Sequence, residues 1–114
     1  MKKQHRILTL LVLAAVIFSC KKEEAPPKYF PRVKTIVEAN CTISCHAPSK
    51  GLHDGMPVVL ETDEEIAALA ASIKAAVADP ASPQNKRMPQ GGMLSDADID
   101  TIVKWFNKGG RVTD

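Results

Sequence analysis

The stretch NCTISCHAP, residues 40–48, decides which fold we expect this chain to adopt. It holds two of the chain's three cysteines, Cys41 and Cys45, and His46 directly follows the second. Thiol and imidazole side chains at such short spacing are suited to a disulfide, a metal ion or a covalently bound cofactor. The choice among these depends on the compartment in which the chain works and on the rest of its sequence.

The N-terminus has the pattern of a secretion signal. Three basic residues lie within residues 2–6, and residues 7–18 are almost entirely apolar. This run is shorter than the about 20 residues that a membrane-spanning helix needs, and it fits the central region of a signal peptide. A serine and then Cys20 follow, which resembles a bacterial lipobox, the site at which a cysteine is lipidated. We therefore predict a signal peptide over residues 1–19 and a lipid on Cys20; the alternative is an uncleaved, short membrane anchor.

The charge balance gives no indication of nucleic acid binding. The full chain has 15 Lys and Arg against 13 Asp and Glu, and loss of the three basic residues of the signal peptide leaves 12 against 13. A mature chain this close to neutral lacks the basic excess that is typical of nucleic-acid-binding domains. Residues 20–31 are predicted to be a lipid-anchored tether. Residues 32–114 are then one domain of a bacterial cell-envelope protein, in the periplasm or at the cell surface.

Apolar residues at helical spacing predict an all-α domain with about three helices and two long loops. One helix start is signalled by Thr62 with Glu65, the capping-box pattern, and another by Ser95, which precedes acidic residues. Proline and paired glycines signal the helix ends. The first predicted helix runs from residue 32 to 40, with Val33, Ile36 and Val37 on its apolar face. The second runs from Thr62 to the stop at Asp79–Pro80, and its apolar face is formed by Ile66, Leu69, Ala70, Ile73 and Val77. The third runs from Ser95 to Gly109–Gly110, and its apolar face is formed by Ile99, Ile102, Val103 and Phe106.

The predicted core contains few large side chains. After Cys20 the aromatic residues are Tyr29, Phe30, Trp105 and Phe106. A small domain often needs a disulfide, a metal or a similar staple, and long loops in a small domain are unusual unless they enclose something. Both features favour a cofactor at the centre of the domain.

The short stretch around the cysteines is close to a known attachment motif. Cys-X-X-Cys-His is the attachment site of c-type haem: the two thiols add across the two vinyl groups of the porphyrin, and the following histidine ligates the iron. In this chain the motif is CTISCH, with one extra residue between Cys41 and Cys45. Residues three or four apart lie on one face of a helix, so the longer spacing still allows both thioethers, with a bulge over residues 42–44.

A second segment lies downstream, KRMPQGG at residues 86–92, before the last predicted helix. Together with the CTISCH motif, it resembles class I cytochromes c, in the small bacterial group that carries Met-Pro before its last helix. The resemblance covers residues 33–110. It implies a cytochrome c-like fold wrapped around one haem, iron ligated by His46 and Met88, and first and last helices that pack crosswise. It also implies that a carbonyl beside Pro48 orients the histidine.

Other interpretations of these residues stay open. Cys41 and Cys45 are also compatible with a disulfide. Zinc would find three ligands in the two cysteines and His46, although no second cysteine pair completes a set of four. The other candidate axial ligands of an iron are Met56, Met93 and His53.

Several side chains near the proposed ligands have expected places. Met88 is preferred as the sulfur ligand because the proline after it stiffens the backbone. Met93 is expected to pack beside its neighbouring leucine onto the last helix. Trp105 is expected in the core, with an indole N–H able to reach a haem propionate. Lys86 and Arg87 are expected to be solvated or to contact a propionate.

The sequence therefore predicts a membrane-tethered c-type cytochrome that transfers single electrons outside the cytoplasm and is not an enzyme. No carboxylate pair, serine–histidine set or phosphate-binding loop is visible after Cys20. The expected partners are redox proteins and, through the lipid, a membrane. The alternatives are a five-coordinate haem sensor or gas-binding domain, should Met88 not ligate, and a haem-free interaction lipoprotein with a Cys41–Cys45 disulfide.

Overall fold

The computed structural model describes residues 25–48, 52–53 and 56–114, without the side chains of residues 52–53 and 56–57. The predicted signal peptide and Cys20 lie outside the described residues. The described part is helical, which confirms the all-α class. Its elements are helix α1 (Phe30–Val37), a π-helical segment that continues it (Glu38–His46), the antiparallel pair β1 (Leu52–His53) and β2 (Met56–Pro57), helices α2 (Asp63–Ala68) and α3 (Ala70–Ala78), a 3₁₀ turn (Gln84–Lys86), and helix α4 (Asp96–Lys108).

Helix α1 forms one wall of the core. A proline in its first turn suits a helix start, where the backbone N–H groups have no helical partner. Val33, Ile36 and Val37 are buried, as their spacing predicted. The helix begins at Phe30, whose ring is also buried. The folded domain therefore starts before the predicted boundary at residue 32, because an aromatic side chain of the predicted tether belongs to the core.

The predicted second helix is two helices. Thr62 caps α2 as predicted: its Oγ1 accepts a hydrogen bond from the Glu65 N–H at 3.2 Å, and Glu65 Oε2 accepts one from the Thr62 N–H at 2.9 Å. The prediction of one continuous helix is wrong at Leu69, where φ is −103° and ψ is 15°. The Leu69 N–H is shared between the carbonyls of Glu65 and Ile66 at 3.2 and 3.3 Å. This tightening of the last turn ends α2, and α3 begins at the next residue.

Helix α4 has the predicted ends. Ser95 Oγ accepts a hydrogen bond from the Asp98 N–H at 3.2 Å, and Gly109 ends the helix at a φ of 129°, which glycine adopts without a steric penalty. Trp105 is completely buried, as expected. Its indole N–H donates to the Arg111 carbonyl at 2.8 Å, so this donor is used inside the fold and not for a propionate.

The helices share one core. Helix α1 packs against α4, as expected of the first and last helices, and α3 also packs against α4. The rings of Phe30 and Trp105 lie 5.8 Å apart between centroids. Just after α4, a Cβ added to Gly110 would lie 2.6 Å from the Cβ of Ala70, so only glycine allows this close approach to α3. Within the described residues, no helix combines the length and apolar character needed to cross a membrane.

Candidate haem-binding site

A cavity of about 750 Å³ is lined by all four residues predicted to bind haem and iron, Cys41, Cys45, His46 and Met88. They come from two distant parts of the chain, the π-helical segment and the loop before α4. Cofactor sites typically enclose about 300–1,000 Å³ and have mostly apolar walls. The cavity meets both criteria, since its walls also include Val58, Leu60, Leu69, Ile73 and Val77.

The π-helical segment explains how the extra residue of the motif is accommodated. In a π-helix the backbone hydrogen bonds join residues five apart, so each turn holds more residues than an α-helical turn. Cys41 and Cys45, four residues apart, are therefore close to one turn apart, and both line the cavity. The predicted local bulge over residues 42–44 is instead a wider winding of the whole segment Glu38–His46.

Both thiols in this segment are free, with Cys41 half-buried and Cys45 exposed. Burial raises the pKa of the Cys41 thiol, and the neighbouring Cys45 adds a smaller contribution in the same direction. Burial therefore favours the neutral thiol of Cys41 over its thiolate. In the described part of the chain, no group of three or more His, Cys, Asp or Glu side chains is arranged to hold a metal ion.

A backbone carbonyl determines which nitrogen of the His46 ring carries the proton. Its Nδ1 lies 3.0 Å from the Val58 carbonyl oxygen. A carbonyl oxygen only accepts hydrogen bonds, so Nδ1 carries the proton and the lone pair of the neutral imidazole is on Nε2. The orienting carbonyl is thus that of Val58, and the expectation that it lies beside Pro48 is wrong, because residues 58–60 return to the end of the π-helical segment.

Three hydrogen bonds attach residues 58–60 to the π-helical segment. Besides the bond to the His46 ring, the Leu60 N–H donates to the His46 carbonyl at 3.0 Å. Thr42 Oγ1, in the middle of the cysteine motif, donates to the Leu60 carbonyl at 2.6 Å. Thr42 was not a predicted site residue, and no sequence signal pairs it with a residue 18 positions away. These bonds hold the carbonyl that orients the imidazole.

Met88 is half-buried and lines the cavity. Its N–H donates to the Ala76 carbonyl at 3.0 Å, which attaches the loop to the C-terminal end of α3. Met93 is 86% exposed, so the expectation that it packs onto the last helix is wrong; Leu94 is the residue that enters the core there. The side chains of Met56 and His53 lie outside the described part.

The two cations before Met88 have different surroundings. Lys86 lines the cavity, and it is the only lysine, arginine or carboxylate among the described lining residues. A contact between Lys86 and a propionate therefore remains an expectation. Arg87 instead donates from its guanidinium to the carbonyls of Pro80 and Ser82, at 2.6 and 3.0 Å.

Comparisons with protein-family models, curated proteins and solved structures found no match for this chain. A six-coordinate haem attached through two thioethers uses two thiols on one segment, an imidazole with an available nitrogen and a second axial ligand. The porphyrin supplies the other four nitrogen ligands of the iron. Cys41, Cys45, His46 and Met88 match these requirements in one largely apolar cavity.

Proposed function

We propose that this protein is a membrane-tethered c-type cytochrome that transfers single electrons outside the cytoplasm. The observation that supports it most is that two cysteines, a histidine and a methionine from distant parts of the chain line one apolar cavity. When bound, haem supplies the redox chemistry, the gain and loss of one electron at iron. The lipid on Cys20 would hold the domain near a membrane, and its partners would be redox proteins.

Each proposed ligand has a separate task. Cys41 and Cys45 would hold the haem covalently, through thioether bonds. The proton on Nδ1 leaves Nε2 of His46 to ligate the iron, and the Val58 carbonyl fixes the ring orientation. A thioether ligand from Met88 raises the reduction potential relative to nitrogen ligation. The apolar walls act in the same direction, because they disfavour the more highly charged oxidised iron.

A carrier, and not an enzyme, is part of this proposal. The donor set of the cavity, two thiols, an imidazole and a thioether, suits a bound redox cofactor.

Covalent haem on a denaturing gel tests the proposal. The chain is expressed in a bacterial host that attaches haem, and the gel is stained for haem. We expect staining of the wild-type band and a large loss in Cys45→Ser. Ser44→Ala is the matched control, since Ser44 lines the same cavity but carries no thiol. An unstained wild-type band would favour the haem-free lipoprotein with a disulfide.

The absorption of the oxidised protein tests the second axial ligand. Iron–sulfur ligation gives a weak charge-transfer band in the far red. We expect Met88→Ala to lose this band and Met93→Ala to keep it, because Met93 is 86% exposed. A wild-type protein with covalent haem but without the band would favour the five-coordinate sensor.

A further inference from the structure

The loop that carries Met88 is attached to the last turn of α3. The final carbonyls of a helix are not all bonded within it, and two carbonyls of this turn accept hydrogen bonds from the loop. That of Ala75 also accepts the Asp79 N–H at 3.3 Å. Ser82 Oγ donates to the Ala75 carbonyl at 2.7 Å, and the Met88 N–H donates to the Ala76 carbonyl at 3.0 Å. Residues 82 and 88 of the loop are therefore attached to the same turn of α3, which also forms part of the cavity wall.

Arg87 closes this loop on itself. Its Nη2 donates to the Pro80 carbonyl at 2.6 Å and its Nε donates to the Ser82 carbonyl at 3.0 Å. The guanidinium is a planar fork, so two contacts fix its orientation as well as its position. Asp79 stabilises the segment that carries these two acceptor carbonyls, because its Oδ1 accepts a hydrogen bond from the Ala81 N–H at 2.9 Å. The residue directly before Met88 is thus held to the first turn of the loop.

We propose that Arg87 is a positioning residue that holds the Met88 sulfur at the iron. This inference rests on the proposed function. Without the guanidinium, no side-chain hydrogen bond joins residue 87 to residues 80–82. The backbone there keeps the bond from residue 87 to the Gln84 carbonyl at 3.3 Å and the bond from Met88 to α3. The sulfur then leaves the iron more often, and the vacated position becomes available to an external ligand. A lysine at this position would not replace the guanidinium, because its ammonium group cannot reproduce the two fixed N–H directions that reach both carbonyls.

Imidazole binding to the purified, haem-loaded protein measures this effect. Imidazole competes with the sulfur, so its apparent affinity rises in proportion to the fraction of protein in which the sulfur is displaced. We expect Arg87→Gln to bind imidazole about tenfold more tightly than the wild type. The reason is that the variant loses the hydrogen bonds of the charged guanidinium, and their loss favours displacement of the sulfur by about this factor. Arg87→Lys should recover only part of the difference.

A matched control separates positioning from general stability. Arg32→Gln removes another exposed arginine, whose Nη2 lies 2.7 Å from Asp98 Oδ1 and which does not line the cavity. We expect wild-type imidazole affinity in this control. Amide hydrogen exchange gives a readout that does not depend on haem: the Met88 N–H should exchange faster in Arg87→Gln and at the wild-type rate in Arg32→Gln.

The outcomes distinguish this inference from the proposed function. Wild-type imidazole affinity in Arg87→Gln, in a protein that shows the far-red iron–sulfur band, would overturn the positioning role and leave the cytochrome proposal standing. Absence of that band from the wild-type protein would overturn both. Faster Met88 exchange together with tighter imidazole binding would support the role.

Discussion

Replacement of Thr42 by valine should destabilise the domain at the cysteine motif. Thr42 Oγ1 donates to the Leu60 carbonyl at 2.6 Å, and Leu60 is only 4% exposed. Valine has the same shape but no hydroxyl. The lost hydrogen bond costs about 1 kcal/mol, and leaving this part-buried carbonyl without the hydroxyl costs about 1 kcal/mol more. We therefore expect the free energy of unfolding to fall by about 2 kcal/mol, which lowers the midpoint of thermal unfolding by about 8–16 °C in a domain of this size.

Thermal and urea unfolding, followed by circular dichroism, check this value, with Thr35→Val as the control. Thr35 Oγ1 donates to the Pro31 carbonyl four residues earlier at 3.1 Å, on an exposed part of α1. Such local bonds contribute little to stability, so the control should change it by less than about 0.5 kcal/mol. The reasoning would be refuted if Thr42→Val and Thr35→Val unfolded at the same midpoint.

Two further predictions concern the packing around α4. Trp105→Phe should lower the free energy of unfolding by about 2 kcal/mol, through loss of buried ring volume and of the hydrogen bond to Arg111. The reduction potential of the loaded protein should not change; a clear shift would mean that the indole contacts the haem. Hydrogen bonds from Ser95 and then Arg32 lower the pKa of Asp98. This carboxylate therefore stabilises the fold at neutral pH, and the contribution is lost as the pH falls through its lowered pKa. Asp98→Asn should be less stable than the wild type at pH 7, and unfolding curves should converge in acid; a pH-independent difference would contradict this.

The helix ends were predictable because capping is local. The caps act on backbone groups within a few residues. The structure confirms the start of α2 at Thr62 with Glu65, the start of α4 at Ser95 and the end of α4 at Gly109. The break at Leu69 was not predictable, since it falls in AALAA, residues 67–71, which consist of strong helix formers without glycine or proline. Nothing in these local propensities marks a break, although Ile66 of α2 and Ile73 of α3 are buried in the same core.

The candidate site was predictable only as far as its residues are close in sequence. Cys41, Cys45 and His46 are neighbours, and their types alone indicate the chemistry. The bonds that orient them are not local: the Val58 carbonyl lies 12 residues after the His46 ring that it orients. Met93 was misplaced because its apolar character suggested burial, whereas the structure leaves it exposed after two glycines.

The intact mass of the purified protein tests the central claim most directly, because it measures the covalent bond between polypeptide and haem. We predict a coloured protein whose mass under denaturing conditions exceeds that of the mature polypeptide with its lipid by one haem. A colourless protein with the mass of the polypeptide and lipid alone would contradict the account.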